Sequence, residues 1–439
     1  MRRSLLWLAC VAATAPARAQ VAGSEPGPAL PPAASATRDR LTFKAYLKEV
    51  GRGNLDLIAQ RSAVSVAQAQ IAIAKVFPDP QVTAGLLQYD VTRRGNPTAT
   101  IVQLAVPLEI GGQRGARVAV AEANLSATQA DLNEFLRGLR AEATNDYIDA
   151  LHARATLERQ RQTLASLERL VAVNQQRFKS GDIGEAGVIQ SRVEANQFRA
   201  AVFAAEGEVR SADIAVVSLL GSGASARMGQ ALNLEGDLLT TAERRFDANA
   251  LVQVALARRP DLVAARRRFL ASNREIELAR ANRVIGLGVG ASWQHNFETG
   301  SSPPTPASDF LGATVTVPLP FSRMYSGELN AAYAGRRQAD AQLRGTSVKV
   351  EAEVREAIAR YDAAAARVHL YATGVLADAD QVLEKTLYNY QRGGATLVEV
   401  LVAQRTDNDV YLSYYDSLAD AAHALVAVEQ ASGNWDVDF

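Results

Sequence analysis

The stretch RVIGLGVGASWQHNF, Arg283–Phe297, decides the fold. From Gly286 its even positions are Gly286, Gly288, Gly290, Ser292, Gln294 and Asn296, and its odd positions are Leu287, Val289, Ala291, Trp293, His295 and Phe297. A period of two, with one small or polar face and one mostly apolar face, is the pattern of a β-strand between two different surroundings. The chain on either side reads as helix, and the sequence offers no second sheet to cover the apolar face.

Three further stretches share the pattern. FLGATVTVPLP (Phe310–Pro320) alternates Leu311, Ala313, Val315 and Val317 with Gly312, Thr314 and Thr316. QVTAGLLQY (Gln81–Tyr89) sets Val82, Ala84 and Leu86 against Thr83 and Gly85. TATIVQLAVPL (Thr98–Leu108) conforms except at Ile101, which falls on the polar side. Each run is about ten residues, the length a tilted strand needs to cross a bilayer. The intervening loops, VTRRGNP and ETGSSPPTPAS, are polar and rich in glycine or proline, as solvent-facing loops are.

The N-terminus, MRRSLLWLACVAATAPARAQ, has the layout of a secretory leader. Arg2 and Arg3 form the charged region, Leu5–Ala15 the apolar region and Ala17-Arg18-Ala19 the small-x-small cleavage site, predicting a signal peptide over 1–19. Acylation of Cys10 would require an unusually short apolar region. Since Cys10 is the only cysteine, a mature chain has neither disulfides nor thiol chemistry. Residues 20–40, rich in Pro, Ala and Ser, read as a flexible tail. The 47 basic and 47 acidic residues balance, which removes the electrostatic case for nucleic acid.

Two hairpins of a soluble sheet would alternate in the same way. Secretion, a glycine face too small to be a core face, and the isolation of the strands between helices favour a membrane. Four strands cannot close a barrel, and lipid tolerates no open sheet edge, so several chains must contribute strands. On this reading Leu287, Val289, Trp293, Leu311, Val315 and Val317 face lipid.

The fifteen prolines leave two long gaps, between Pro107 and Pro260 and after Pro320, where uninterrupted helix is possible. In the first gap Val118, Leu125, Leu132 and Leu139 recur at steps of seven, then Leu157, Leu164, Val171 and Phe178, with a stutter between the two series. In the second, Val354, Tyr361, Val368, Val375 and Val382 repeat the spacing. A helix of roughly 60 residues would be about 90 Å long and must pack along its length on neighbours. Each long helix ends in a glycine turn, RFKSGDIGE or YQRGGATLVE, after which helical pattern resumes.

The two helical hairpins are copies. Gly181 matches Gly394 and Arg192 matches Arg405 at an offset of 213; Pro107 and Ala121 match Pro318 and Ala332 at 211; Asp56 and Ala74 match Asp261 and Ala279 at 205. Both halves therefore run helix, strand, loop, strand, very long helix, turn, helix. The expected organisation is a first repeat over 41–221 with its β-hairpin at 79–108, a linker over 222–247, a second repeat over 248–433 with its hairpin at 284–319, and a C-terminal tail over 434–439. The fold class is α+β, a membrane protein made of a duplicated helix–strand–strand–long helix–helix unit.

With QRFKSG (Gln176–Gly181) at the first tip, YQRGGATLVEVL (Tyr390–Leu401) at the second, and a proline ending each returning strand, this layout resembles the outer-membrane efflux family typified by the TolC channel. The resemblance covers Leu41 to about Gly433. PLEIGGQRGARVAVAEA (Pro107–Ala123) looks more like the heavy-metal branch, the outer-membrane components of cobalt, zinc and cadmium efflux systems.

The resemblance implies a homotrimer in the outer membrane, with a twelve-stranded barrel in lipid and a long α-helical barrel in the periplasm. It also implies docking to a periplasmic adaptor and an inner-membrane, proton-driven pump of the RND type. Such a chain is a passive, gated conduit, not an enzyme, and holds no cofactor. Carried over by position, Tyr390, Arg392 and Glu399 fall at the periplasmic gate, with Glu399 in place of an aspartate. Arg177, Phe178, Gly181, Gly393, Gly394, Thr396 and Leu397 fall on the tips that meet the adaptor. The chain departs from the family pattern at Gly187, Ala395 and Val402, where members carry charged gating groups. A ring of three Glu399 carboxylates would favour cations; the plainer alternative is a solvated helix carboxylate.

Asp378, Asp380 and Glu384, like Glu351, Glu353 and Glu356, read as solvated helix faces. His152, His295, His369 and His423 are scattered and form no ligand cluster, so no bound metal is expected. The glycines of IGGQRG lack the Lys-Ser/Thr of a phosphate loop and read as a turn. Two alternatives stay open at this point: a drug-efflux or type I secretion channel of the same fold, and a periplasmic coiled-coil adaptor.

Overall fold

The computed structural model describes residues 40–87, 99–238, 244–297, 306–319, 321 and 326–435. The expected signal peptide, nearly all of the N-terminal tail and most of both strand loops lie outside the described residues.

Strand β1 (Leu41–Thr42) leads into α1 (Phe43–Gly53), whose first turn is held by the Thr42 hydroxyl accepting from the Ala45 amide. Helix α2 (Leu55–Ala74) comes next, then β2 (Gln81–Leu87) and β3 (Ala99–Leu108). After them run α3 (Gln113–Lys179) and α4 (Glu185–Ser218). The expected linker is structured: after a 3-10 turn at Gly221–Gly223 come α5 (Ala224–Arg227) and β4 (Leu234–Glu235), which pairs in parallel with β1. The second copy runs α6 (Ala248–Arg258), α7 (Pro260–Ala281), β5 (Leu287–Asn296), β6 (Ser308–Thr316), α8 (Gly327–Leu370), α9 (Leu376–Gln391) and α10 (Leu397–Ser432).

The two hairpins do not stand apart. They join through β3 and β5 into one four-stranded antiparallel sheet of order β2-β3-β5-β6. The register carries each face intact across all four strands. Ala84, Val102, Trp293 and Leu311 form one row, and Val82, Leu104, Ala291 and Ala313 the next. On the other face run Thr83, Gln103, Ser292 and Gly312, then Gln81, Ala105, Gly290 and Thr314. Ile101 stays on this small-residue face, where it lies opposite Gly85; a Cβ at Gly85 would sit 3.6 Å from its Cγ2.

Helix α3 has 67 residues, about 100 Å at 1.5 Å per residue. The stutter between Leu139 and Leu157 leaves no break in it. Over that segment Ala141, Ala143, Tyr147, Ile148, Ala150 and Leu151 are all buried, because α3 is surrounded there by several elements instead of one partner. Phe43 and Tyr46 of α1 pack on the Tyr147 ring at 5.3 and 5.7 Å, and the Tyr147 hydroxyl lies 3.0 Å from the Leu41 carbonyl and 2.5 Å from that of Glu235, pinning the β1–β4 pair.

The second long helix differs from its sequence reading. Val354, Tyr361 and Val368 are buried as the heptads predict, but Tyr371–Val375 form a π-helical turn. The extra residue of such a turn rotates the downstream helix by roughly 100°. Val382, next in the heptad series, is therefore 53% exposed, and Ala379 and Tyr390 take the buried side. One of the carboxylates expected on solvated faces is engaged in the packing instead: Glu353 bonds the buried Arg259, whereas Asp380 stays exposed while accepting from the Tyr411 hydroxyl at 3.0 Å.

Candidate channel wall and helical tip

The sheet supplies the first candidate surface. Its apolar face is open to the surroundings, with Leu311 and Val315 87% and 70% exposed. In β5 the odd residues Val289, Ala291 and Trp293 are exposed while the smaller Gly288, Gly290, Ser292 and Gln294 are partly sheltered. Small residues more sheltered than large ones on a two-sided sheet mean that the sheet curves toward its glycine face. Val317 and Leu319, beyond β6, and Val76, Phe77 and Ile110 at the same end continue the exposed apolar surface. Leu287 lies on this face too, half-buried.

His295 falls on the apolar side, at the end away from the helices. It stacks with Trp293 at 6.0 Å, meets Phe297 edge-on at 5.0 Å, and hydrogen-bonds the Asp309 carboxylate at 2.9 Å. A belt of amphipathic rings with a polar pair at its margin suits the headgroup level of a bilayer. At the opposite end Arg114 lies 4.4 Å over the Phe77 ring and Arg117 pairs with Glu109, placing charge just below the apolar band. A cleft of about 730 Å³ opens there on the glycine face, lined by Glu109, Gln113, Arg283, Gly286, Gly288 and Thr316.

Helix α3 joins this sheet to the second candidate surface, the tips at its far end. Gly181 and Gly393 adopt φ of 81° and 79°, the left-handed region that ends a helix readily with glycine. Tyr390 is buried, its hydroxyl donating to Asn174 Oδ1 at 2.7 Å. Arg177 lies 4.8 Å over the Tyr390 ring and donates to its carbonyl at 3.4 Å. These two residues lock the first tip to the second, and the Tyr390 side chain does not itself face open space in this chain. Arg392 packs 4.0 Å over Tyr388, and Phe178, Gly394 and Thr396 are exposed. Leu397 is half-buried in the tip core of Leu167, Leu170, Val400 and Leu401.

Glu399 is the third residue of α10 and closes a capping box. Its carboxylate accepts from the Thr396 amide at 2.6 Å, and its own amide donates to the Thr396 hydroxyl at 3.3 Å. The backbone hydrogen bond from Thr396, helped by that residue's hydroxyl, holds this exposed carboxyl below its ordinary range.

Above the tip core, the seam between α3 and α10 is polar. Thr163 donates to Asn408 at 3.0 Å, Ser166 to Gln404 at 3.3 Å, and Arg159 pairs with the buried Asp407. Burial raises the Asp407 pKa above the ordinary carboxylate value, against the opposing pull of Arg159. Arg405 binds Glu194 of α4 through two 2.6 Å hydrogen bonds. Sequence reasoning passes over Asn174, Asp407 and Asn408. A signal for Asp407 is present, since it comes after Val400 and Gln404 on the core-side period of α10.

Among the described residues no group of three or more His, Cys, Asp or Glu is placed to hold a metal ion, and no helix is long and apolar enough to cross a membrane. His152 pairs with Asp416 and His423 with Asp149, both across the α3–α10 seam.

The comparisons with known proteins agree with this geometry. The chain is 24% identical over 436 residues to the cobalt-zinc-cadmium resistance protein CzcC of Cupriavidus metallidurans, covering 99% of this chain and 100% of that protein. It is 27% identical over 306 residues to the nickel and cobalt resistance protein CnrC of the same organism, covering 68% of each. Against the outer membrane efflux protein BepC of Brucella suis the identity is 24% over 409 residues, with 90% and 86% covered. Among solved structures, CusC superposes with a TM-score of 0.73 at 18% identity, covering 90% of this chain and 92% of that one. A Pseudomonas aeruginosa membrane protein superposes with 0.73 at 21%, covering 89% and 92%. The family model for outer membrane efflux proteins matches residues 46–222 and 251–434, one match to each copy of the repeat. That assignment sets aside the periplasmic-adaptor alternative: the chain belongs to the outer membrane efflux protein family, with its sheet in the outer membrane and its long helices extending into the periplasm.

Proposed function

We propose that the chain is the outer-membrane conduit of a tripartite system that expels heavy-metal cations. It works as a homotrimer with a periplasmic adaptor and an inner-membrane RND-type pump, which supplies the energy. The observation that carries the conduit is the sheet. Among the described residues its two outer strands, β2 and β6, pair on one side only, and one of its faces is apolar. Open edges are costly in lipid, so closure needs strands from further copies, and three copies of four strands give twelve. The metal reading comes with the full-length likeness to CzcC.

In this arrangement the small-residue face lines the lumen, and Leu287, Val289, Trp293, Leu311, Val315 and Val317 meet lipid. Arg177, Phe178, Gly181, Gly393, Gly394, Thr396 and Leu397 form the adaptor contact. Tyr390 and Arg392 act at the gate by fixing the tip loop. Glu399, held in one orientation by its capping box and kept ionised, presents a ring of three carboxylates to the periplasmic entrance.

A strain lacking the gene should lose tolerance to zinc, cobalt or cadmium and regain it on complementation. Loss of drug tolerance with unchanged metal tolerance would overturn the metal assignment. In planar bilayers, Glu399→Gln should lower cation selectivity without changing the trimer; unchanged selectivity would remove Glu399 from the pore.

A further inference from the structure

Ile101 breaks the alternation of β3, and neither the lipid-facing surface nor the helical core accounts for it. The register places it in a row that runs Gly85, Ile101, Gln294, Phe310 across all four strands. Phe310 is thus a second large apolar residue at the same height, 55% exposed, and Leu87 lies on the same face one row further out, 39% exposed. The two rows beneath it hold Gln81, Thr83, Gln103, Ala105, Gly290, Ser292, Gly312 and Thr314, with no large apolar side chain among them. The Ile101 methyl leans over Gly85, 3.6 Å from where a Cβ would be, so its bulk is directed across the face. Between the two apolar groups, Gln294 Nε2 donates to Asn296 Oδ1 at 2.7 Å, which fixes the polar member of the row. Phe310 is exposed and Ile101 half-buried, and large apolar groups at one height of a face whose inner rows are small and polar cost hydration, which marks the row as functional. The row lies two residues from the ends of β2 and β5, on the side away from the helices.

We propose that Ile101 and Phe310 form an apolar collar near the outer exit of the lumen, which sets the bulk of solute that can pass. The inference rests on the trimeric barrel proposed above. Three copies would bring three Ile101 and three Phe310 to one level of a barrel whose backbone diameter is roughly 24 Å from strand spacing and tilt. The rows between the collar and the helices leave a wider passage, because apart from Pro107 their side chains are small or polar.

The test is labelling on intact cells carrying the full chain with Cys10→Ser, which leaves no other thiol. Ser292→Cys places a thiol on the lumenal face one row inside the collar; Leu311→Cys places one on the lipid face. A small methanethiosulfonate added outside should label Ser292→Cys and leave Leu311→Cys unlabelled. A polyethylene-glycol maleimide should label Ser292→Cys only when Ile101→Thr and Phe310→Ser are also present. Equal labelling by the bulky reagent with and without those changes would overturn the collar. Labelling of Leu311→Cys but not Ser292→Cys would instead overturn the barrel orientation on which the inference rests. If the double variant fails to assemble, Phe310→Trp gives the opposite handle: it should slow even the small reagent at Ser292→Cys, and an unchanged rate would overturn the proposal.

Discussion

At position 54 the first copy of the repeat has a buried asparagine, and at the matching position 259 the second has a buried arginine. Asn54 accepts from the Leu57 amide at 2.9 Å to cap α2 and donates to the Leu219 carbonyl at 3.3 Å, both neutral tasks. Arg259 precedes Pro260, which starts α7 without needing an amide. Its guanidinium is thus free to bind Asp261 at 2.6 Å, Glu353 of α8 at 2.6 Å and the Ala431 carbonyl of α10 at 3.2 Å. One template has therefore been fixed twice, once by closing a helix end and once by tying three helices with charge. The same divergence recurs lengthwise: α3 is unbroken, whereas its counterpart is split at Tyr371–Val375 into α8 and α9.

The comparison breaks most visibly at Arg259. Arg259→Ala takes the main partner from two partly exposed carboxylates and should cost about 2–4 kcal/mol, whereas Asn54→Ala loses a neutral cap and one further hydrogen bond and should cost about 1 kcal/mol. Thermal or denaturant midpoints of the detergent-extracted protein would check both, and equal losses would refute the asymmetry.

A second pair lies in the sheet. Gly85 and Gly290 match at the offset of 205, but β2 is an edge strand and β5 a central one. A Cβ at Gly290 would meet Thr314 Oγ1 at 2.6 Å and the Leu104 carbonyl oxygen at 2.8 Å, whereas at Gly85 it makes an ordinary contact. Gly290→Ala should cost about 1–3 kcal/mol as overpacking, read as loss of the heat-resistant folded band on gels. Gly85→Ala should stay within about 0.5 kcal/mol of the parent.

A third test concerns the lock between the tips. Tyr390→Phe removes the hydrogen bond to the buried Asn174 and leaves its amide oxygen unpaired, for an expected loss of about 1–2 kcal/mol. Hydrogen exchange should show the loss confined to α9 and the neighbouring end of α3; protection unchanged there would count against the lock.

The smallest effect is one of pH. Burial, with Glu142 and Asp149 adding repulsion, pushes the Asp146 carboxyl up to about 6. A raised native pKa means stability that is complete below the unfolded value near 4 and lost as pH rises through about 6. Continued to this point, the offset of 211 matches Asp146 with Ala357, so the second copy has no counterpart. Asp146→Asn should abolish that pH slope and stabilise the protein at pH 8 by about 1 kcal/mol, the shift being discounted because the group is half exposed. A slope that persists in the variant would assign it to another group.

Much of this architecture was legible because it depends on short-range periodicity. Alternation fixes which side of a strand each residue takes, so the faces of β5 and β6 came from Leu287, Val289, Trp293, Leu311 and Val315 alone. Glycine and proline mark where long helices must stop, and the offsets of 205, 211 and 213 exposed the duplication. The tip was half legible. Gly181 and Gly393 announced a turn, yet nothing near Tyr390 in the sequence indicates that its hydroxyl is taken by Asn174, 216 residues away. Glu399 was assigned by position, while its capping box was already written in the Thr396-x-x-Glu399 spacing.

By itself the sequence determined that the chain is duplicated and built of strands with an apolar face and helices too long for a globule. Those conclusions come from residue chemistry and from periods of two and seven, which are local. The tertiary structure alone decided that β3 joins β5, that Ile101 and Phe310 share one row, that a π turn rotates Val382 outward, and that Asp407 and Arg259 are buried and paired. Each of those depends on which distant residues meet. Register between strands and rotation between helices are set by the packing of whole elements, and no local pattern encodes them.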